Sequence, residues 1–163
     1  MSDYGSSGAN SLPISGLTVT TQMPEPKKFI DTNVLLYLLS ADAGKANSAE
    51  AVVQSGGLIS VQVLNEIANV ARRKLAMSWL EINEILELIR SMCSVEPLTI
   101  ETHDKARLIA ERYGLSVYDG MIVAAALLAG CETLYSEDMH HGLLIDGQLR
   151  VCNPFGEYEP YSC

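Results

Sequence analysis

Four acidic side chains lie within apolar stretches of the sequence or just after a predicted strand, where solvent alone does not explain a charged group. They are Asp31, Glu66, Asp119 and Asp138. An ionised carboxylate kept near a core without a partner costs on the order of several kcal/mol in desolvation, so its charge must be compensated. Mg²⁺ and Mn²⁺ favour carboxylate and water oxygens as ligands. The four acids together therefore predict a pocket that attracts hard divalent cations.

The places of these acids relative to predicted strands and helices favour one shared site. Asp31 follows the strand signal KKFI, and Asp138 follows the strand signal ETLYS. Asp119 is predicted in the first turn of a helix, and Glu66 in the early part of another. Because sites in open α/β sheets form outside the carboxyl ends of parallel strands, we expect the four side chains to converge on one crevice.

Each acid alone also has a purely structural interpretation. Asp is a common helix N-cap, which explains Asp31 equally well. Ser116 and Asp119 match an S-x-x-acid capping box. Glu66 lies beside the apolar face of its helix, where a contact along the helix could hold it, and Asp138 has the setting of a solvated loop acid. The joint pattern carries more weight than any one of them.

The elements that must position these acids alternate along the chain, as in an α/β domain. Strand signals occur at 28–30, 58–61, near Val95 and at 132–136, and helical patterns at 34–39, 46–54, 63–75, 102–113 and 118–129. Ser78 with Glu81 predicts the capping box of one more helix. Asp146-Gly147 between two apolar runs predicts a hairpin turn.

Length and composition predict one folded domain. The chain has 163 residues, 48% of them hydrophobic, which is enough for a single core. Residues 1–26 are rich in Ser, Gly, Thr and Pro without Lys or Arg, so we expect a flexible extension, and an added leader with Met23 as the natural start is one interpretation. The domain is predicted over 27–156, followed by a tail at 157–163.

Charge and cysteine usage narrow the classes of function. With 11 Lys and Arg against 20 Asp and Glu, the net charge of -9 argues against a broad electrostatic grip on nucleic acid and favours cations or a basic partner. The four cysteines are far apart without a C-x-x-C pair, so reduced thiols in the cytoplasm are expected. The most apolar run, 121–130, is shorter than the roughly 18 residues that span a bilayer.

Five segments in series resemble the PIN-domain nucleases, and more narrowly the VapC-type toxins of prokaryotic toxin–antitoxin systems. The segments are FIDTNVLLYL at 29–38, VLNEIANV at 63–70, LSVYDGMIVAAAL at 115–127, LYSEDM at 134–139 and LRVCNPF at 149–155. The resemblance covers roughly residues 27–156. It implies a PIN-like fold with a mainly parallel central sheet flanked by helices on both sides, Mg²⁺- or Mn²⁺-dependent endoribonuclease activity, homodimers and a cognate antitoxin.

Carried over to this sequence, the family's acidic quartet falls on Asp31, Glu66, Asp119 and Asp138. Its supporting polar positions fall on Thr32, Asn33 and Ser136. Glu137 adjoins Asp138, and the spacing of two residues after Ser136 favours Asp138 as the member of the quartet. The hypothesis that follows is metal-assisted hydrolysis of RNA, in which Asp31 and Asp119 are the principal metal ligands, Asp138 assists, and Glu66 orients the attacking water or binds a second ion.

One basic residue is a candidate phosphate contact. Arg73 lies two helical turns after Glu66, in the only triple of basic residues, although cations near a helix C-terminus are also common for electrostatic reasons alone. Two other functions remain open on the sequence alone. A catalytically silent module could receive an arginine of a partner in the acidic pocket. An aspartyl-phosphate phosphohydrolase usually has a second Asp two residues after the first, where this chain has Asn33.

Overall fold

The computed structural model describes residues 25–156, so most of the predicted N-terminal extension and the whole predicted tail lie outside the described residues. The strands are β1 Lys28–Ile30, β2 Leu58–Ser60, β3 Ser94–Glu96, β4 Thr133–Tyr135, β5 Leu144–Ile145 and β6 Leu149–Cys152. The helices are α1 Thr32–Leu36, α2 Ala43–Gln54, α3 Val61–Arg73, α4 Trp79–Met92, α5 Ile100–Tyr113 and α6 Val117–Leu128, with a 3₁₀ turn at Tyr37–Leu39. The predicted α/β architecture is confirmed.

A single sheet of six strands forms the centre, in the order β3-β2-β1-β4-β6-β5. All neighbours are parallel except β5 and β6, which form the predicted hairpin. The chain moves outward from β1 through β2 to β3 on one side, and β4 pairs with the other side of β1. The strand order therefore reverses between β1 and β4, and a crevice opens at such a switch point outside the carboxyl ends of the strands.

The core lies where the helices cover this sheet. Phe29, Ile30, Ile59 and Leu134 from the central strands are fully buried. Helix α6 is buried over most of its length, as its apolar sequence predicts. Gly120 permits its close contact with α5, because a Cβ at this position would lie 2.6 Å from the carbonyl oxygen of Ala106. This contact fixes the first turn of α6, which carries Asp119.

All five helices whose bounds were predicted begin one to three residues earlier in the structure, and two of these starts have a clear local cause. Helix α1 begins at Thr32 rather than Val34, because Asp31 caps it. Val61, predicted as the end of a strand, is the first residue of α3, and Ser60 before it is the extended N-cap. The predicted capping box of Ser78 and Glu81 is present at the start of α4.

Reduced thiols were expected at all four cysteines, and this expectation is wrong for Cys152. Cys93 and Cys131 are free and buried, but Cys152 is disulfide-bonded. Wide spacing in the sequence does not predict which cysteines meet in the fold, because pairing depends on Cβ positions.

Among the described residues, no helix has the length and apolar character needed to span a membrane.

Candidate acidic site at the switch point

The structure brings all four predicted acids to one cavity of about 260 Å³ at the switch point. Asp31 follows β1, Asp138 lies in the loop after β4, Glu66 is in α3 and Asp119 is in the first turn of α6. The remaining lining residues are Thr32, Asn33, Leu36, Asn69, Val70 and Lys74. We call this cavity the acidic pocket. Its four carboxylates come from four different elements, so the fold, not the local sequence, gathers them.

Asp31 is buried in the acidic pocket and held by hydrogen bonds to both of its carboxylate oxygens. It is only 3% exposed. One carboxylate oxygen accepts a hydrogen bond from the backbone N–H of Thr32 at 2.6 Å, and the other accepts from the Ser136 hydroxyl at 2.7 Å. The structural interpretation of Asp31 as the N-cap of α1 is therefore confirmed. The same contacts fix its orientation in the pocket.

The electrostatic environment of Asp31 opposes its negative charge. Burial raises its pKa to about 7, and the charges of Glu66 and Asp119 contribute in the same direction. The hydrogen bonds from Ser136 and Thr32 act in the opposite direction and are outweighed. None of the four pocket carboxylates forms an ion pair with another residue of the range 25–156. The pocket therefore favours the approach of a cation.

Asn33 connects the loops that follow β1 and β4. Its amide nitrogen donates to Asp31 at 3.1 Å and to Asp138 at 3.0 Å. Its amide oxygen accepts from the backbone N–H of Glu137 at 3.1 Å. One side chain therefore sets the relative position of two predicted site acids.

Glu66 and Asp119 also accept hydrogen bonds from polar side chains close to the pocket. Glu66 accepts from the Thr32 hydroxyl at 2.7 Å and from the Gln62 amide at 2.9 Å. The carboxylate of Asp119 accepts from the Ser116 hydroxyl at 2.7 Å, and the Ser116 oxygen accepts from the Asp119 N–H at 3.0 Å. Ser116 is thus the N-cap of α6, as its spacing from Asp119 predicts.

Glu137 points away from the acidic pocket, although it adjoins Asp138. Its carboxylate pairs with Lys45 at 2.5 Å and accepts from the Tyr37 hydroxyl at 2.6 Å. The Lys45 ammonium lies 4.4 Å from the centre of the Tyr37 ring, which packs edge-on against Phe155. We call Tyr37, Lys45, Glu137 and Phe155 the Glu137 cluster. Sequence analysis missed it, since no spacing signals a contact between residues this far apart.

Charges in the Glu137 cluster compensate each other. The hydrogen bonds that the Lys45 ammonium donates to Glu137 and Tyr37 raise the pKa of Lys45 above its usual range. Burial alone would raise the pKa of Glu137, but its bonds with Lys45 and Tyr37 outweigh that effect and lower it. Both groups therefore carry their full charge at neutral pH.

The structure places the predicted phosphate contact outside the acidic pocket. Arg73 is exposed on the last turn of α3 and does not line the cavity. The next residue, Lys74, does line it. A role for Arg73 in substrate binding stays a prediction, and Lys74 is the basic side chain nearer to the acids.

The donor set of the acidic pocket fits a hard divalent cation in its chemistry. Oxygen ligands predominate, and a cation would stabilise the unfavourable charge of Asp31. The carboxylates are turned to their separate hydrogen-bond partners, however, and no three His, Cys, Asp or Glu side chains between residues 25 and 156 stand together as a group that could hold an ion. Asp31 and Asp138, which share Asn33, are the pair already aligned by one side chain.

Comparison with known families identifies the class of protein. A sequence model of the PIN domain family matches residues 28–141, which include all four acids. The chain belongs to the PIN domain family. The resemblance to PIN domains that the five sequence segments indicated is thereby confirmed. No curated protein matches the sequence.

Solved structures with the same fold include a toxin and a toxin–antitoxin complex. A toxin–antitoxin complex from Klebsiella pneumoniae has 21% identity and a TM-score of 0.59, over 78% of this chain and 98% of that chain. VapC20 of Mycobacterium tuberculosis, described as a toxin that cleaves the sarcin–ricin loop, has 21% identity and a TM-score of 0.58, over 69% and 90%. DNA-bound VapBC from Salmonella typhimurium has 20% identity and a TM-score of 0.58, over 77% and 98%. At these identities the likeness establishes the fold.

Proposed function

We propose that this protein is an endoribonuclease that depends on Mg²⁺ or Mn²⁺ and is the toxin of a type II toxin–antitoxin system. The observation that carries the proposal is the acidic pocket, where four carboxylates from four elements line one cavity at the switch point of a PIN domain. Solved structures of the same fold support it, since they include a toxin described as cleaving the sarcin–ricin loop.

Asp31 and Asp119 would be the principal ligands of the ion, with Asp138 beside them. A bound divalent cation supplies Lewis acidity, which lowers the pKa of an attacking water and stabilises charge on a leaving oxygen. Glu66 would orient that water or bind a second ion. The hydroxyl of Thr32 would fix the carboxylate of Glu66, to which it donates at 2.7 Å.

The proposed partners follow from the same comparisons. An antitoxin would cover the acidic pocket, and the negative charge there suits a basic residue of that partner. The toxin–antitoxin complex from Klebsiella pneumoniae and the VapBC assembly from Salmonella typhimurium support a partner of this kind. A homodimer and a cytoplasmic location belong to the same proposal.

The decisive experiment is cleavage of structured RNA by the purified protein with Mn²⁺, Mg²⁺ or a chelator. Cleavage that requires the ion and is lost in Asp31→Asn supports the proposal. Cleavage in chelator, or equal cleavage by Asp31→Asn, contradicts it. Tight binding of an arginine-containing peptide without turnover in any metal would instead support a catalytically silent binding module.

The salt dependence of RNA binding by Arg73→Ala and Lys74→Ala would locate the phosphate contact. One lost contact lowers the slope of log K against log salt concentration by about 0.7 for single strands.

A further inference from the structure

A second cavity, of about 490 Å³, opens beside the acidic pocket. Its lining residues are Gln62, Asn65, Glu66, Asn69 and Tyr118. We call it the amide groove. Glu66 and Asn69 line both cavities, so the two adjoin each other. A polymer that places one group in the acidic pocket would therefore place the neighbouring group in the amide groove.

The lining of the amide groove is mostly neutral and equipped for hydrogen bonds. Its single carboxylate, Glu66, is already engaged with Thr32 and Gln62. Asn65 and Asn69 are exposed, and within residues 25–156 neither side chain has a hydrogen-bond partner. They are four positions apart on α3, so their amides lie on the same face. Each amide presents both a donor and an acceptor to whatever occupies the groove.

The other wall supplies an aromatic surface. Tyr118 is 67% exposed, so its ring is open to contact from the groove. It precedes Asp119 in the first turn of α6, so the ring adjoins an acid of the candidate site. An exposed ring opposite free amides matches the way proteins hold unpaired bases, which stack on aromatic side chains and form hydrogen bonds along their edges.

We propose that the amide groove binds one unpaired nucleobase of an RNA strand whose neighbouring phosphate lies in the acidic pocket. The base stacks on Tyr118, and Asn65 and Asn69 contact its edge. The inference rests on the proposed function and adds where and by which chemistry the substrate is held. A protein with a net charge of -9 gains little from general attraction to phosphates, so stacking and hydrogen bonds have to supply the affinity.

The test is a binding cycle in the Asp31→Asn background, which prevents cleavage of the probe. The probes are a short, fluorescently labelled, single-stranded oligoribonucleotide of mixed sequence and a series in which each nucleotide in turn is made abasic. Fluorescence anisotropy without metal gives the Kd. Tyr118→Ala is expected to weaken binding of the intact strand by about tenfold, the range of one base–aromatic stack, whereas Tyr118→Phe retains binding.

The result that would specifically support this inference is coupling between removal of one base and Tyr118→Ala. At one position of the strand, removal of the base weakens binding to the parent protein but adds little to the effect of Tyr118→Ala, because both changes remove the same stack. Leu108→Ala is the matched control, since Leu108 is 61% exposed on α5 and lies outside both cavities. It leaves every Kd unchanged. Thermal melts confirm that each variant is folded.

Fully additive effects at every position would overturn the inference, as would equal Kd values for Tyr118→Ala and its parent. If Tyr118→Ala changed the sedimentation of the protein but not its RNA binding, the groove would be a protein interface, and the inference would again be overturned. The proposed function fails separately: if the native chain cleaves no RNA with Mn²⁺ or Mg²⁺ while Tyr118 and one base remain coupled, the groove stands and the nuclease does not. Cleavage without this coupling would support the nuclease and overturn the base-binding role of the groove.

Discussion

Glu137 and Asp138 are neighbours in the chain, yet they lie in opposite electrostatic environments. The carboxylate of Glu137 contacts an ammonium group and a phenol in the Glu137 cluster. Asp138 lines the acidic pocket, where its one hydrogen-bond donor among the described residues is the neutral amide of Asn33. In the Glu137 cluster a lysine of the same chain neutralises the negative charge. In the acidic pocket no basic group of the described residues forms an ion pair with the carboxylates, so a bound cation or partner has to neutralise them.

This difference separates the scaffold from the candidate site. The Glu137 cluster joins the 3₁₀ turn, α2 and the loop after β4, so it fixes the backbone that carries Ser136 and Asp138. A compensated cluster favours the folded state at neutral pH. An uncompensated pocket opposes it until a cation binds, and strain of this kind is found at functional sites. Substitutions in the two regions should therefore differ in their effects on cleavage and on stability.

Asp31→Asn should abolish RNA cleavage and stabilise the protein in chelator. Asn retains the N-cap of α1 but removes the buried charge. Loss of a metal ligand should reduce the cleavage rate by more than about 100-fold, since partners that only orient ligands are worth about 10- to 100-fold. The free energy of unfolding at pH 8 should rise by on the order of a few kcal/mol. Chemical denaturation and a cleavage assay measure the two effects.

Asp42→Asn is the matched control for this substitution. Asp42 is also an N-cap, since its carboxylate accepts from the backbone N–H of Lys45 at 3.1 Å, but it is exposed and outside the acidic pocket. Both cleavage and stability should remain close to those of the native chain. A clear loss of stability in Asp31→Asn would mean that the carboxylate stabilises α1 as its N-cap by more than its buried charge destabilises the fold.

The stability of the metal-free protein should fall as pH rises from about 4 to 7. The pKa of Asp31 is raised from 3.8 to about 7 in the fold, so in this interval the folded protein retains a proton that the unfolded chain has released. The contribution is fully present below pH 3.8 and is lost as pH rises through 7, with a slope of at most about 1.4 kcal/mol per pH unit. The difference between native and Asp31→Asn denaturation curves isolates it. A difference independent of pH would contradict the raised pKa.

Much of the fold could be predicted because its signals are local. The first strand agrees with its prediction at both ends, and the Asp146-Gly147 hairpin and the Ser78 capping box follow from short patterns. The convergence of Asp31 and Asp138 could also be predicted, because the ends of parallel strands meet at one edge of a sheet.

The contacts that hold the site could not be predicted in the same way. Lys45 and Glu137 are 92 residues apart, and nothing in either segment indicates the other. The same holds for the bond between Thr32 and Glu66 and for the choice of Lys74 over Arg73 as the basic residue that lines the pocket. These features depend on how helices pack on the sheet, and side-chain pairing across elements has no sequence period.

Asn33→Ala tests the link between the two environments. The substitution removes the amide that contacts Asp31, Asp138 and the backbone of Glu137. Cleavage should fall by about 10- to 100-fold, with weaker apparent affinity for Mn²⁺, because the carboxylates lose their common orientation. Titration of activity against Mn²⁺ separates this from a loss of RNA affinity. Asn47→Ala, on the exposed face of α2 and outside the pocket, is a suitable control, and an unchanged metal dependence in Asn33→Ala would argue against a role in positioning.

Glu137→Gln is expected to have the smallest effect and gives the finest test of the contrast with Asp138. The amide keeps the size of the side chain and can still accept from Tyr37, but it removes the charge that faces Lys45. Because this charge belongs to the scaffold, the melting temperature should fall modestly while metal-dependent cleavage stays within about threefold of the native rate, below the range for partners of metal ligands. Asp138→Asn is the matched comparison, with the opposite outcome: cleavage is lost, and in chelator the melting temperature is retained. If Glu137→Gln abolished cleavage as well, the two neighbours would share one function, and the division between a compensated scaffold and an uncompensated pocket would be wrong.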